Sequence, residues 1–180
     1  MKKTIIALTL LTNSLFAQQF IKSMPVTITT NSTTTSYTTG LIINNIGNLT
    51  PIAIQIPSVS TGTVQAKITN AHIIINNTNS FAYSGTYELS LFSNSFAITG
   101  DNTPYNPSFA NLSAYYQGNI SFTGGIGTSS NTVLDYNSNA PIHVNINNKY
   151  MYAVLYAGGT ITKSANMQIT IILDLEYISK

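Results

Sequence analysis

Residues 86–122 read TYELSLFSNSFAITGDNTPYNPSFANLSAYYQGNISF, and the fold class is decided in this stretch. Tyr87, Leu89 and Leu91 alternate with Thr86, Glu88 and Ser90, which is the period of a half-buried strand. A Gly-Asp-Asn-Thr-Pro turn at 100–104 follows. Phe109, Leu112 and Tyr116 then fall at helical spacing, with Asn106 placed as an N-cap, Pro107 at the first helical position and Gly118 past the end. Ile120 and Phe122 resume the strand period. The expectation is a strand, a turn, one short helix near Pro107 to Tyr116, and a second strand.

Working outward, the same strand signal recurs with turn residues between. Candidate strands fall near 25–30, 37–45, 51–57, 62–69, 71–76, 86–98, 118–123, 141–147, 150–157 and 167–177. Ile142, Val144 and Ile146 alternate with His143, Asn145 and Asn147, so His143 faces away from the core. Met167, Ile169, Ile171, Leu173, Leu175 and Tyr177 form one apolar face of the last strand. Burying six such side chains contributes on the order of 10 kcal/mol before entropy is counted, so losing that strand should abolish folding. Eight to ten short strands punctuated in this way predict an all-β fold, a single antiparallel β-sandwich with one short helix.

Composition agrees. Only 12 of 180 side chains are charged, none is Arg, and polarity comes from Asn, Thr and Ser. Lys2 and Lys3 account for the formal charge of +2; without them five Lys face five acids. No basic patch is available to neutralise phosphates, which speaks against nucleic-acid binding. The chain has no Cys, which excludes a disulfide framework and thiolate chemistry.

The 86–122 stretch, with its Leu-x-Leu-Phe strand, Asp-Asn turn, short polar helix and glycine-led strand ending in Phe122, resembles a group of small tailed-bacteriophage virion proteins of the β-sandwich or jelly-roll type. Ser36-Tyr37-Thr38-Thr39-Gly40, Gln65-Ala66-Lys67-Ile68, Tyr150 to Ala157 and Met167 to Tyr177 fit the same pattern, while Leu41 stands where those proteins usually have an acidic residue. The resemblance spans about Val26 to Tyr177. It implies a jelly-roll-like sandwich serving as a capsid decoration, head-fibre or tail-associated subunit. It also implies a homo-oligomer, in such virion proteins often a trimer, that docks on capsid or tail proteins.

The N-terminus pulls the other way. Met1 to Ala17 has a Lys-Lys start, an apolar run from Ile5 to Leu11 and Leu15-Phe16-Ala17 before Gln18, the layout of a secretory signal peptide. That run is too short to span a bilayer. Residues 1–24 are thus expected to be a removable extension, signal-like over 1–17 and a linker beyond, with the sandwich occupying 25–180. The alternative function is a secreted or cell-surface β-sandwich, an adhesin subunit or a carbohydrate-binding module, cleaved near Ala17. The localisation implied by the resemblance is the virion.

Residues capable of chemistry are sparse. Asp174 and Glu176, two apart on one strand, share a face, but solvated carboxylates on an outer strand explain them and substituting them should change little. Asp101 reads as a turn residue bonding its own backbone. His72 and His143 have no partner motif in the sequence, and Gly124-Gly125-Ile126-Gly127 reads as a loop with no Lys after it. No catalytic residue, cofactor site or metal site is assigned. The candidate interaction surface is aromatic: Tyr115, Tyr116, Tyr150, Tyr152 and Tyr156, either covering the sheet and a subunit contact or stacking on sugar rings.

Overall fold

The computed structural model describes residues 18–30, 33, 36–59, 61–76, 86–123, 126–127, 131–162 and 166–178. The signal-like segment 1–17 and the glycines at 124–125 lie outside the described residues. In chain order the elements are β1 (Gln18–Lys22), β2 (Val26–Thr29), β3 (Ser36–Tyr37), β4 (Ile52–Gln55), β5 (Thr63–Asn76), β6 (Tyr87–Phe92) and α1 (Phe109–Tyr115). After the helix come β7 (Tyr116–Phe122), β8 (Ile126–Gly127), β9 (Asn131–Asn147), β10 (Tyr150–Ala157), β11 (Ile161–Thr162) and β12 (Gln168–Ile178).

Among the described residues ten strands form one antiparallel hydrogen-bonded sheet, seven of them along the path β1-β12-β5-β9-β10-β6-β7, with β2 also on β12, β4 on β10 and β8 on β9. The path folds back on itself at the β9–β10 hairpin, where only Tyr150 and Asn147 pair. One layer is therefore β1/β2-β12-β5-β9 and the other β4-β10-β6-β7, an all-β sandwich. The core lies between them. Met167, Ile169, Ile171, Leu173, Leu175 and Tyr177 all point inward, as their spacing predicts, and meet Leu89, Leu91, Ile120, Phe122 and Leu155 of the facing layer.

Two expected strands at 62–69 and 71–76 are one continuous β5. It bulges at Thr69, which is skipped in the pairing with both β12 and β9. Strand β9 begins ten residues before the expected 141, and Ile126–Gly127, expected in a loop, pairs with its start.

The N-terminal linker is not a linker. Gln18 to Lys22 pair antiparallel with Ile178 to Asp174, and Ser23 is buried. The Ser23 N–H donates to the Leu173 carbonyl (2.8 Å) and its Oγ accepts the Leu173 N–H (2.9 Å), bridging the gap between β1 and β2 along β12. Residues 18–24 thus belong to the sandwich and are not a linker before residue 25. A five-residue strand that covers the edge of β12, with Ile21 packed against the core and Phe20 turned outward, is too short to show apolar alternation.

The helix is about two turns, capped by Ser108, whose side chain accepts from the Asn111 N–H at 3.2 Å; Asn106 is not the cap. Gly118 does not terminate it either. It sits in β7 at a bulge opposite Leu91 and Phe92, with φ 153°, and a Cβ there would lie 2.8 Å from Ile142 Cγ2. Gly118→Val is expected to cost about 2–3 kcal/mol in stability through strain and overpacking; an unchanged denaturation midpoint would refute that account of the bulge.

Candidate interaction surface

The outer face of β10, β6 and β7 is overlaid by the segment from Ser93 to Tyr115. Phe92 anchors it, edge-on to Phe96 at 4.7 Å and to Tyr116 at 5.9 Å, while Phe96 stacks on Tyr115 at 6.5 Å. Tyr152 packs into the same cluster with Ile42 and Val154. Tyr156 stacks on Tyr105, ring centroids 4.6 Å apart. Burial raises both of those hydroxyls, Tyr105 to about 12. Four of the five tyrosines named from the sequence therefore meet on one face. Tyr150 lies on the same side of β10 but at the hairpin end, exposed and apart from the cluster.

Their chemistry is not that of an open sugar platform. Tyr115, Tyr152 and Tyr156 are half-buried; Tyr115 stacks on Phe96, Tyr156 on Tyr105, and Tyr152 packs against the cluster around Phe92. The polar groups nearby are also engaged. Glu88 accepts from the Ser121 hydroxyl (2.7 Å) and the Asn119 amide, and Asn119 Oδ1 accepts from Ser90 (3.1 Å) and Tyr156 (3.3 Å).

What remains open is α1. None of its seven residues is buried. Phe109 is 85% exposed, Leu112 37% and Tyr116, just past the helix, 46%. Phe109 and Leu112 keep the helical spacing read from the sequence but face outward, while Tyr116 is already extended in β7 and edge-on to Phe92. Sequence periodicity fixes the phase of such a stripe but not what covers it. A seven-residue helix has little intrinsic stability, and this one is held by its Ser108 cap and by Ser93 donating to the Tyr115 carbonyl at 2.9 Å. Charge is nearly absent here. Between Ser93 and Gln117 the one ionisable carboxylate is Asp101. It accepts from the buried Tyr37 hydroxyl (2.9 and 3.2 Å) and from the Asn44 N–H (3.0 Å), so it ties two loops together rather than bonding its own turn. Burial and the neighbouring carboxylate both raise the Tyr37 hydroxyl, which keeps it a donor.

On the opposite layer, Asp174 and Glu176 are not the solvated pair expected. Glu176 is buried to 9% exposure and meets Lys67 at 3.2 Å; Asp174 meets Lys22 at 3.6 Å and His72 at 3.1 Å. Each carboxylate is matched by a cation contributed by a neighbouring strand, information that register holds and periodicity does not. His143 is exposed, as its alternation indicates. Among the described residues no three His, Cys, Asp or Glu side chains converge as metal ligands, and no helix is long and apolar enough to cross a membrane.

No family model and no curated protein matches this sequence. Among solved structures, the chain is similar to one of Cocksfoot mottle virus, at 9% identity, covering 90% of this chain and 96% of that one with a TM-score of 0.30. It is also similar to the VP2 subviral particle of infectious bursal disease virus, at 9% identity over 91% of this chain and 42% of that one, TM-score 0.14. Superpositions this loose fix neither fold nor function. The sandwich is established by its own strand pairing.

Proposed function

We propose that the protein is a non-enzymatic structural subunit that works by self-association through the α1 ridge. The observation that carries this reading is the outward pair Phe109 and Leu112 on a helix with no buried residue, continued by the exposed Tyr116 at the start of β7. Covering three such side chains contributes on the order of 5 kcal/mol before the costs of association. An uncharged, largely apolar ridge fits another uncharged surface, and a chain with five Lys against five acids beyond its first residues offers its own copies little repulsion. The resemblance of residues 86–122 to tailed-phage virion proteins supplies the class: a capsid- or tail-associated subunit, with threefold assembly the form that resemblance implies.

Serine at both Phe109 and Leu112 should weaken self-association by about 100-fold or more while leaving the melting temperature nearly unchanged, because neither side chain contributes to the core. Size-exclusion chromatography with a thermal melt reads both. A double variant that melts normally and remains assembled would remove α1 from the interface.

The secreted reading keeps one observation in its favour. Cleavage after Ala17 would leave Gln18 first, and the processed chain would carry every strand described. The N-terminal residue of the native protein distinguishes the readings: Gln18 supports export, Met1 supports assembly without it.

A further inference from the structure

Among the described residues, five of the eight Lys, Asp and Glu side chains lie on the outer face of the β1-β12-β5-β9 layer. Three of the chain's five acids, Asp135, Asp174 and Glu176, stand there with Lys22 and Lys67. Both of the chain's histidines, His72 and His143, are on the same two central strands. The register arranges four of these groups into a row, one from each strand. Asp135 lies directly opposite His72, Lys22 directly opposite Asp174, and Asp174 is diagonal to His72 across β5 and β12. Cross-strand neighbours at these positions are within side-chain reach.

His72 is gripped from both sides. Its Nδ1 is 2.7 Å from Asp135 Oδ1 and its Nε2 is 3.1 Å from Asp174 Oδ2. A carboxylate only accepts, and a neutral imidazole donates from only one nitrogen. Both contacts are hydrogen bonds together only when the ring is the imidazolium. The row then alternates in sign: Lys22 positive, Asp174 negative, His72 positive, Asp135 negative.

We propose that His72 is a proton-operated clasp, closed as the imidazolium, that joins β9 to β12 across β5. On losing its proton the ring must release one carboxylate, and the row is left with an uncompensated negative charge. The second row, Glu176 with Lys67 and the exposed His143, holds no such bridge. With both histidines neutral, this face carries two cations against three anions.

Partial burial of His72 by itself lowers its affinity for the proton. The hydrogen bonds to Asp135 and Asp174 and their charges together outweigh it, so the folded-state value is raised above the usual 6.5. A raised value means that the folded state binds the proton more tightly. The stabilisation is therefore complete below about pH 6.5 and is lost as pH rises through the folded value.

The test starts with the unmodified protein. NMR titration of the His72 ring should show it more than half protonated at pH 6.5, its midpoint raised above that of an ordinary imidazole. Asp135→Asn should shift the His72 titration downward, and His143→Gln should leave it in place. Thermal melts should lose about 3 °C between pH 6 and pH 9 in the unmodified chain, and His72→Gln should abolish most of that loss. A His72 ring that is mostly neutral at pH 6.5 overturns the proposal without recourse to any variant.

Discussion

A chain ending at Asn166 is expected to remain unfolded at all temperatures. Strand β12 pairs with β1 and β2 along one edge and with β5 along the other, so its removal strips three strands of partners at once. It also deletes Ile169, Ile171, Leu173 and Leu175, each essentially inaccessible to solvent, together with Met167 and Tyr177. The apolar burial lost is on the order of 10 kcal/mol, comparable with the whole stability of a domain this size. Circular dichroism should show no cooperative transition. A sharp melt in the shortened chain would mean that the sandwich does not depend on this strand.

The second large effect is at the other terminus, and it separates two start sites only seven residues apart. A chain beginning at Gln18 should fold as the sandwich described. One beginning at Pro25 loses β1 and Ser23, leaving the N–H and carbonyl of Leu173 and the β12 edge beyond it without their partners. Stranded backbone groups and the lost pairing should together cost about 2–4 kcal/mol, which lowers Tm by about 5–10 °C. The bared edge should also promote aggregation. Identical melts and solubility for the two chains would restore the segment 18–24 to the status of a linker.

These two ends show what the sequence can and cannot convey. The alternation from Met167 to Tyr177 was legible because one face of β12 is packed against the core over its full length, and period two follows directly from that. Strand β1 was not, because Gln18-Gln19-Phe20-Ile21-Lys22 contributes backbone hydrogen bonds and leaves Phe20 71% exposed. The bulge at Thr69 hid the unity of β5, since a skipped residue breaks the period where the strand itself continues.

The sites divide in the same way. The helical spacing of Phe109, Leu112 and Tyr116 could be read from the chain, but the direction of the stripe depends on how α1 leaves β7. Tyr115, Tyr152 and Tyr156 could be named as aromatic candidates; the covering of Tyr152 and Tyr156 by the 93–115 segment could not be read. Asp174 looked solvated because its two cations, Lys22 and His72, are about 150 and 100 positions away in the chain. Long-range register brings them together, and no local pattern encodes it.

The central claim, that this chain acts by associating through the uncovered α1 ridge, is tested most directly by sedimentation equilibrium of the protein beginning at Gln18, from about 1 to about 100 μM. The account predicts a reversible, concentration-dependent rise to a closed oligomer that serine at Phe109 and Leu112 returns to monomer. A single monomer mass across the whole range would contradict it.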